Sequence, residues 1–195
     1  MPIAQNQDLH GNAPEKSPTV LLIIDVISDF DFPDGEELLK NAEPVAKNIA
    51  VLRKKADRAK IPVVYVNDNF GKWQSDFKTL LNHSLSKSSK GRKIATLLKP
   101  RQKDYFVLKP KHSGFYSTTL ELLLEYLGAK KLIITGLTAD ICVLFTAADA
   151  FLRDYKIFVP RDCTASAYAK DRDNALRYME RVLQADTRPS NEIEF

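Results

Sequence analysis

The stretch Lys131-Leu-Ile-Ile-Thr135-Gly136-Leu-Thr138-Ala-Asp140-Ile141-Cys142-Val143-Leu144-Phe145-Thr146-Ala147-Ala148-Asp149-Ala150-Phe-Leu152 decides the fold. It opens as a short apolar run closed by a glycine, which reads as a strand. Beyond Gly136 the period changes. Ile141, Leu144, Phe145, Ala148 and Leu152 recur at helical spacing, which predicts a helix with those residues inward. A strand that runs straight into a helix is half of a βαβ unit.

The same alternation extends in both directions. Thr19–Ile24 is wholly apolar and partly β-branched, which suits a strand buried on both faces, and it ends at Asp25. Asp34-Gly-Glu-Glu37 has the cap-plus-acid spacing of a helix start. Val45, Ile49, Leu52, Ala56 and Ala59 carry that helix until Pro62 ends it. Val63–Val66 and Asp104–Leu108 read as further strands, separated by an irregular region over 67–103 that holds the single tryptophan, Trp73. Thr118-x-x-Glu121 reads as a capping box for a helix with Leu120, Leu123, Leu124 and Leu127 inward and Gly128 as its C-cap. Tyr155–Val159 is a fifth strand, and Asp171–Gln184 a last helix with Leu176, Met179 and Leu183 inward. Strands alternating with helices predict a parallel sheet covered by helices on both faces. Met1–Pro18 is polar and aperiodic and reads as a mobile arm, leaving 19–195 as one domain.

Composition bounds the function. A chain of 195 residues with 44% hydrophobic residues can build a full core without staples. A net charge of +4 without a clustered basic stripe gives no nucleic-acid signature. Lys87, Lys90, Arg92, Lys93, Lys99, Arg101 and Lys103 are basic but lack aromatic interleaving, so a solvated face is the reading. Two cysteines, Cys142 and Cys163, make neither a disulfide framework nor a CxxC metal site. No apolar run reaches membrane-spanning length, and the first residues lack an apolar signal core. A reducing, cytoplasmic setting with no membrane partner is expected.

In open α/β sheets, ligands bind beyond the carboxyl ends of the strands. Asp25 follows the first strand, and Asn67, Asp68 and Asn69 the second. Lys109 and Lys111 follow the third, and Thr138, Asp140 and Cys142 the fourth. These residues offer a nucleophile, a base and a cation to one crevice. Cys142 falls at a predicted helix start, where free N–H groups and the dipole favour a thiolate. Asp25, partly desolvated, would have a raised pKa and take the thiol proton. Each residue also has an ordinary structural reading, as a buried small hydrophobe, a turn cap or a surface lysine.

Three segments resemble the isochorismatase-like cysteine hydrolases, a family that includes nicotinamidases and N-carbamoylsarcosine amidases. Leu-Leu-Ile-Ile-Asp25-Val-Ile-Ser-Asp29-Phe30 resembles the family's opening strand, Asp and NDF turn. Lys109-Pro-Lys-His-Ser113-Gly-Phe115-Tyr-Ser-Thr118-Thr-Leu120 resembles its KxxxSxFxxTxL segment. Thr135 to Ala150 resembles its TGxxTxxCVxxTAxDA segment. The resemblance implies a three-layer α/β/α fold with a mostly parallel sheet of about six strands and Rossmann-like topology. It implies Cys142 as nucleophile, Asp25 as general base and Lys109 as third member, with Lys111 the rival lysine. It further implies a cis peptide at Leu137–Thr138 and an oxyanion hole from the Thr138 and Cys142 N–H groups. A small amide or ureido substrate and a homo-oligomer, dimer or tetramer, follow from the same resemblance.

The chain departs from the nicotinamidase pattern where that pattern has Asp-x-His and a further His after the second strand. Here the stretch reads Asn67-Asp68-Asn69-Phe70-Gly71-Lys72-Trp73, with neither histidine. His83 and His112 have no ligand spacing, so neither a metal nor an organic cofactor is expected. Phe30, Asn69, Trp73, Phe115 and Tyr116 fall in the loops expected around Cys142 and are candidates for the substrate pocket. Two other readings stand beside the hydrolase. One is a ligand-binding or interaction protein that keeps the fold without catalysis. The other is a vinyl-ether hydrolase that needs no thiol.

Overall fold

The computed structural model describes residues 16–74 and 76–195. The expected arm lies outside the described residues as far as residue 15. Its last residues are fastened down: Ser17 N–H donates to Leu127 O at 2.7 Å, and Lys130 and Lys131 N–H both donate to Pro18 O at 2.8 Å.

Six parallel strands form one sheet. β1 (Thr19–Ile24) sits between β2 (Val63–Asp68) and β4 (Lys131–Leu137), β3 (Tyr105–Lys109) lies outside β2, and β5 (Lys156–Phe158) pairs β4. β6 (Thr164–Ala165) pairs the far end of β4. The order β3-β2-β1-β4-β5 reverses direction at β1, which places the switch-point crevice between β1 and β4. Register fixes the strand ends: Ile24 faces Val66 on one side and Gly136 on the other, and Asp68 faces Lys109.

The period-2 alternation of a strand buried on both sides divides the core in two. Val20, Leu22 and Ile24 join the cluster beneath α4 (Leu120–Leu127), α5 (Leu144–Phe151) and α6 (Ala169–Leu183). Leu21 and Ile23 join the cluster beneath α1 (Gly35–Arg58), α2 (Phe77–Ser84) and α3 (Arg92–Leu97). Among the described residues no helix is long and apolar enough to cross a membrane.

Four local expectations are corrected. The buried face of the helix after β4 carries Val143, Thr146, Ala147 and Ala150, whereas Ile141, Phe145 and Leu152 lie exposed. This segment is apolar on both flanks, so its period alone could not choose the side that meets the sheet. Asp34 does precede α1, but in a left-handed conformation (φ 62°) with no side-chain cap; its carboxylate accepts from the Tyr168 hydroxyl at 3.2 Å. The Thr118 hydroxyl accepts from Leu120 N–H at 3.1 Å and donates to Gly114 O at 2.5 Å, while Glu121 pairs with Arg153 at 3.0 Å, so no capping box forms. α1 ends at Arg58, with a left-handed Lys60 (φ 56°) making the turn before Pro62.

The basic stretch is largely paired with acids at its own surface. Lys90 reaches Glu36 and Asp31, Lys93 reaches Glu43, and Arg101 and Lys103 both reach Asp57.

Candidate active site

β1, β2 and β3 end side by side, and their last polar residues meet. Asp25 takes a left-handed backbone (φ 50°), a conformation that Asp tolerates better than most residues. Its N–H still closes on Val66 O at 3.0 Å, and the turn swings its carboxylate across the end of β2. Asp25 Oδ1 accepts from Asp68 N–H at 2.7 Å, and Asp25 Oδ2 lies 2.9 Å from Lys109 Nζ. The Lys109 side chain is fully buried. Its ammonium also donates to Asp68 Oδ2 at 3.2 Å, to Lys111 O at 3.2 Å and to Cys142 Sγ at 3.4 Å. Lys109, not Lys111, is therefore the lysine at the centre. Lys111 contributes only a backbone carbonyl, and the residue is exposed.

The thiol arrives from the other side of the switch point. Gly136 (φ 114°) lets β4 run hard against β1: a Cβ there would overlap the Ile24 carbonyl oxygen. The peptide bond Leu137–Thr138 is cis, and a single π-helical turn (Ala139–Val143) follows before α5 begins. Thr138 O accepts from both Ile141 N–H at 3.3 Å and Val143 N–H at 3.1 Å. That turn delivers a half-buried Cys142 to the Lys109 ammonium, with the Asp25 carboxylate in hydrogen-bonding reach of the thiol. Thr138 Oγ1 is buried beside this turn with no hydrogen-bond partner.

Electrostatics sort the three groups. Burial raises the Asp25 carboxyl above the ordinary carboxylate range, only partly offset by the Lys109 charge. Burial pushes the Lys109 ammonium down, but the Asp25 charge above all, with Asp68, outweighs it, so the group is held protonated. Burial raises the Cys142 thiol, the Asp25 charge raises it further, and Lys109 offsets part of the shift. These shifts favour a protonated lysine beside a neutral thiol. The helix-start argument for a standing thiolate does not carry here, because desolvation and a neighbouring negative charge win. Cys163 is fully buried, and its thiol is pushed up to about 12 by burial and by Asp162.

The five pocket candidates separate. Asn69 lies beside the site: its N–H donates to Lys109 O at 3.0 Å, and its side-chain oxygen accepts from Gly71 N–H at 2.9 Å. Trp73 is 79% exposed and Tyr116 57%. Phe30 and Phe115 are buried in the two cores, Phe30 stacked on Phe32 at 6.2 Å and Phe115 under the Arg153 guanidinium at 4.8 Å. A cavity of about 100 Å³, lined by Asp68, Asn69, Phe70, Leu80, His83 and Leu108 among others, meets the cluster only through Asp68, the partner of Lys109. A larger one, about 790 Å³, lies along α6 near Arg161 and Arg177. Asp25, Lys109 and Cys142 line neither.

The residues after β2 do not fit a metal. The Asp68 carboxylate is engaged by Lys109 and by Phe70 N–H, and His83 turns instead to Asp29 at 2.7 Å. Among the described residues no group of three or more His, Cys, Asp or Glu side chains could hold an ion. What the strand-end reading left without a role is Asp68 as a second carboxylate on Lys109, together with the polar face of α5. The signal was present, because Thr146 and Asp149 lie four and seven residues beyond Cys142 on one helix face.

Comparison with known proteins places the chain in a family. Residues 19–187 match the family described as Isochorismatase domain. The chain is 42% identical over 178 residues to the Uncharacterized isochorismatase family protein YaaI of Bacillus subtilis (strain 168), covering 91% of this chain and 97% of that protein. It is 34% identical over 163 residues to Enterobactin synthase component B of Escherichia coli (strain K12), covering 81% of this chain but only 56% of that longer protein. The solved structure of N-carbamoylsarcosine amidase from Thermoplasma acidophilum superposes with a TM-score of 0.70 at 29% identity, over 92% of this chain and all of that one.

Proposed function

This chain belongs to the isochorismatase family of hydrolases, and from that premise we propose that it is a cysteine amidohydrolase acting on a small amide or ureido compound. The observation that carries the reading is the buried Lys109 ammonium, 2.9 Å from Asp25 and 3.4 Å from Cys142 Sγ. It stands between a base and a nucleophile in a site where water is scarce. The similarity to an N-carbamoylsarcosine amidase supports the choice of substrate class.

In this reading Asp25 takes the Cys142 proton as sulfur bonds to the substrate carbonyl carbon. Proton transfer within the pair avoids a free thiolate, which the surroundings disfavour. The Lys109 ammonium stabilises the charge that develops on sulfur. The N–H groups of Thr138 and Cys142 hold the oxyanion of the tetrahedral intermediate. As the C–N bond breaks, Asp25 returns the proton to the departing ammonia or amine and a thioester remains. Water, losing a proton to Asp25, then adds to that thioester; the acid product leaves and sulfur recovers its proton. Every proton is carried by Asp25, so the chain's own groups suffice and no cofactor enters. Asn69 and Trp73 would border the substrate. A homo-oligomer, dimer or tetramer, belongs to the same proposal, since a monomer leaves Ile141, Phe145 and Leu152 exposed.

Ammonia release from a panel of small amides and ureido acids tests the reaction, with wild type beside Cys142→Ala. Release by wild type alone is expected. Equal release by both proteins would overturn the thiol mechanism. Silence from both, with Cys142 alkylated no faster than Cys163, would favour a non-catalytic protein.

A further inference from the structure

One face of the helix after Cys142 is polar, and its first threonine is shut away from water. Thr146 is fully buried, and its hydroxyl bridges two backbones: it donates to Cys142 O at 2.7 Å and accepts from Gly114 N–H at 3.0 Å. One turn further on, the Ser113 hydroxyl donates to Asp149 Oδ2, and Phe115 N–H donates back to Ser113 Oγ at 3.1 Å. Arg153 then reaches Asp149 at 3.4 Å and Glu121 at 3.0 Å while its guanidinium covers the Phe115 ring. Cys142, Thr146, Asp149 and Arg153 stand at i, i+4, i+7 and i+11, one stripe along the helix.

Two of these bonds, Gly114 N–H to Thr146 and Ser113 to Asp149, tie the helix to the segment that follows Lys109. That segment leaves β3, lends Lys111 O to the Lys109 ammonium, and is clamped at Ser113–Phe115 to the helix that carries the thiol. Gly114 is what allows the approach: a Cβ there would meet Val66 Cγ1 at 2.9 Å and Leu120 Cδ2 at 3.2 Å. A threonine hydroxyl often bonds back to the carbonyl four residues earlier, and alone that means little. Here the same oxygen also accepts a buried N–H from the neighbouring segment, so it cannot be replaced by water.

We propose that Thr146 is a positioning residue for the reaction, setting the distance between the Cys142 sulfur and the Lys109 ammonium through this bridge. The inference rests on the cysteine-hydrolase reading. Loss of the hydroxyl frees the Cys142 carbonyl on one side and the Lys109 segment on the other. The 3.4 Å contact that stabilises charge on sulfur then loosens, and ionisation of the thiol becomes harder.

The test reads the thiol itself and needs no substrate. The rate of Cys142 alkylation by iodoacetamide is followed by mass spectrometry across pH, with Cys163 as the internal comparison, for wild type, Thr146→Val and Thr146→Ser. The valine variant is expected to react at least tenfold more slowly at Cys142 near neutral pH. Its pH midpoint should move upward, with Cys163 unchanged. The serine variant should return to within about threefold of wild type. If Thr146→Val does not fold, Thr146→Ala makes the same comparison without the added methyl contacts. A folded valine or alanine variant with the wild-type rate and midpoint would overturn the positioning role, and so would a serine variant no better than valine. A wild-type Cys142 no faster than Cys163 would instead remove the hydrolase reading and this inference with it.

Discussion

In the proposed mechanism Asp25 is the residue on which the chemistry turns, because its environment pulls it two ways. Burial raises its carboxyl, and Lys109 lowers it less than burial raises it. A base works only when deprotonated, so activity should be lost as pH falls through the Asp25 pKa, at a pH above the ordinary carboxylate range. The measurement is kcat/KM against pH with any substrate found by ammonia release. An acid limb centred at the value of a free carboxylate would contradict the assignment. Replacing Asp25 with Asn should abolish that limb and slow the reaction by about 10²–10⁴. That Asp25, Lys109 and Cys142 would meet was legible in the sequence: the strand ends put them on one side of the sheet, and the family resemblance chose Lys109 over Lys111. Their charge states were not. Whether Cys142 rests as thiol or thiolate depends on burial and on a 2.9 Å ion pair between residues 84 positions apart, and no local window reports either.

At the scale of elements, the sequence reading was strongest where one flank of a helix is apolar and the other charged. It was weakest where both flanks are apolar. α6 illustrates the first case: Leu176, Met179 and Leu183 are inward, as their spacing implied. α5 illustrates the second. Its buried side holds small residues, Ala147 and Ala150, that let the helix lie close to the sheet, while the larger Phe145 and Leu152 face outward. A pair of substitutions separates the two. Met179→Ala, at a site with no exposure, should cost about 2–5 kcal/mol. Leu152→Ala, 75% exposed, should change stability by no more than about 0.5 kcal/mol. Urea unfolding midpoints check both. A large loss at Leu152 would restore the inward face that the periodicity implied.

For the molecule as a whole, the alternation of strand and helix was enough to give the parallel sheet and its covering layers. β6 has no signature in the sequence because two residues, Thr164 and Ala165, present no period at all; they are a strand only because β4 offers them an edge. The caps at Asp34 and Thr118 misled for a related reason. Asp34 found its partner in Tyr168, which only the finished fold brings near, and Thr118 turned back to the Gly114 carbonyl four residues before it. Assembly is the prediction proper to this scale. Sedimentation should give a mass two or four times the 22.0 kDa of one chain, and a species of single-chain mass at micromolar concentration would remove the oligomer from the proposal.

The reversal of strand order at β1 has a consequence for how the protein comes into being. The acid, the second carboxylate and the lysine all lie within the first 109 residues, on strands that can pair among themselves. The thiol sits at 142, on a segment that reaches them only after β4 has slid in along the opposite edge of β1. A chain emerging from the ribosome therefore holds a base and a cation with nothing to act on. In the proposed mechanism its sulfur would meet them through the same pairing that sets β4 against β1, so half-made copies would stay chemically silent.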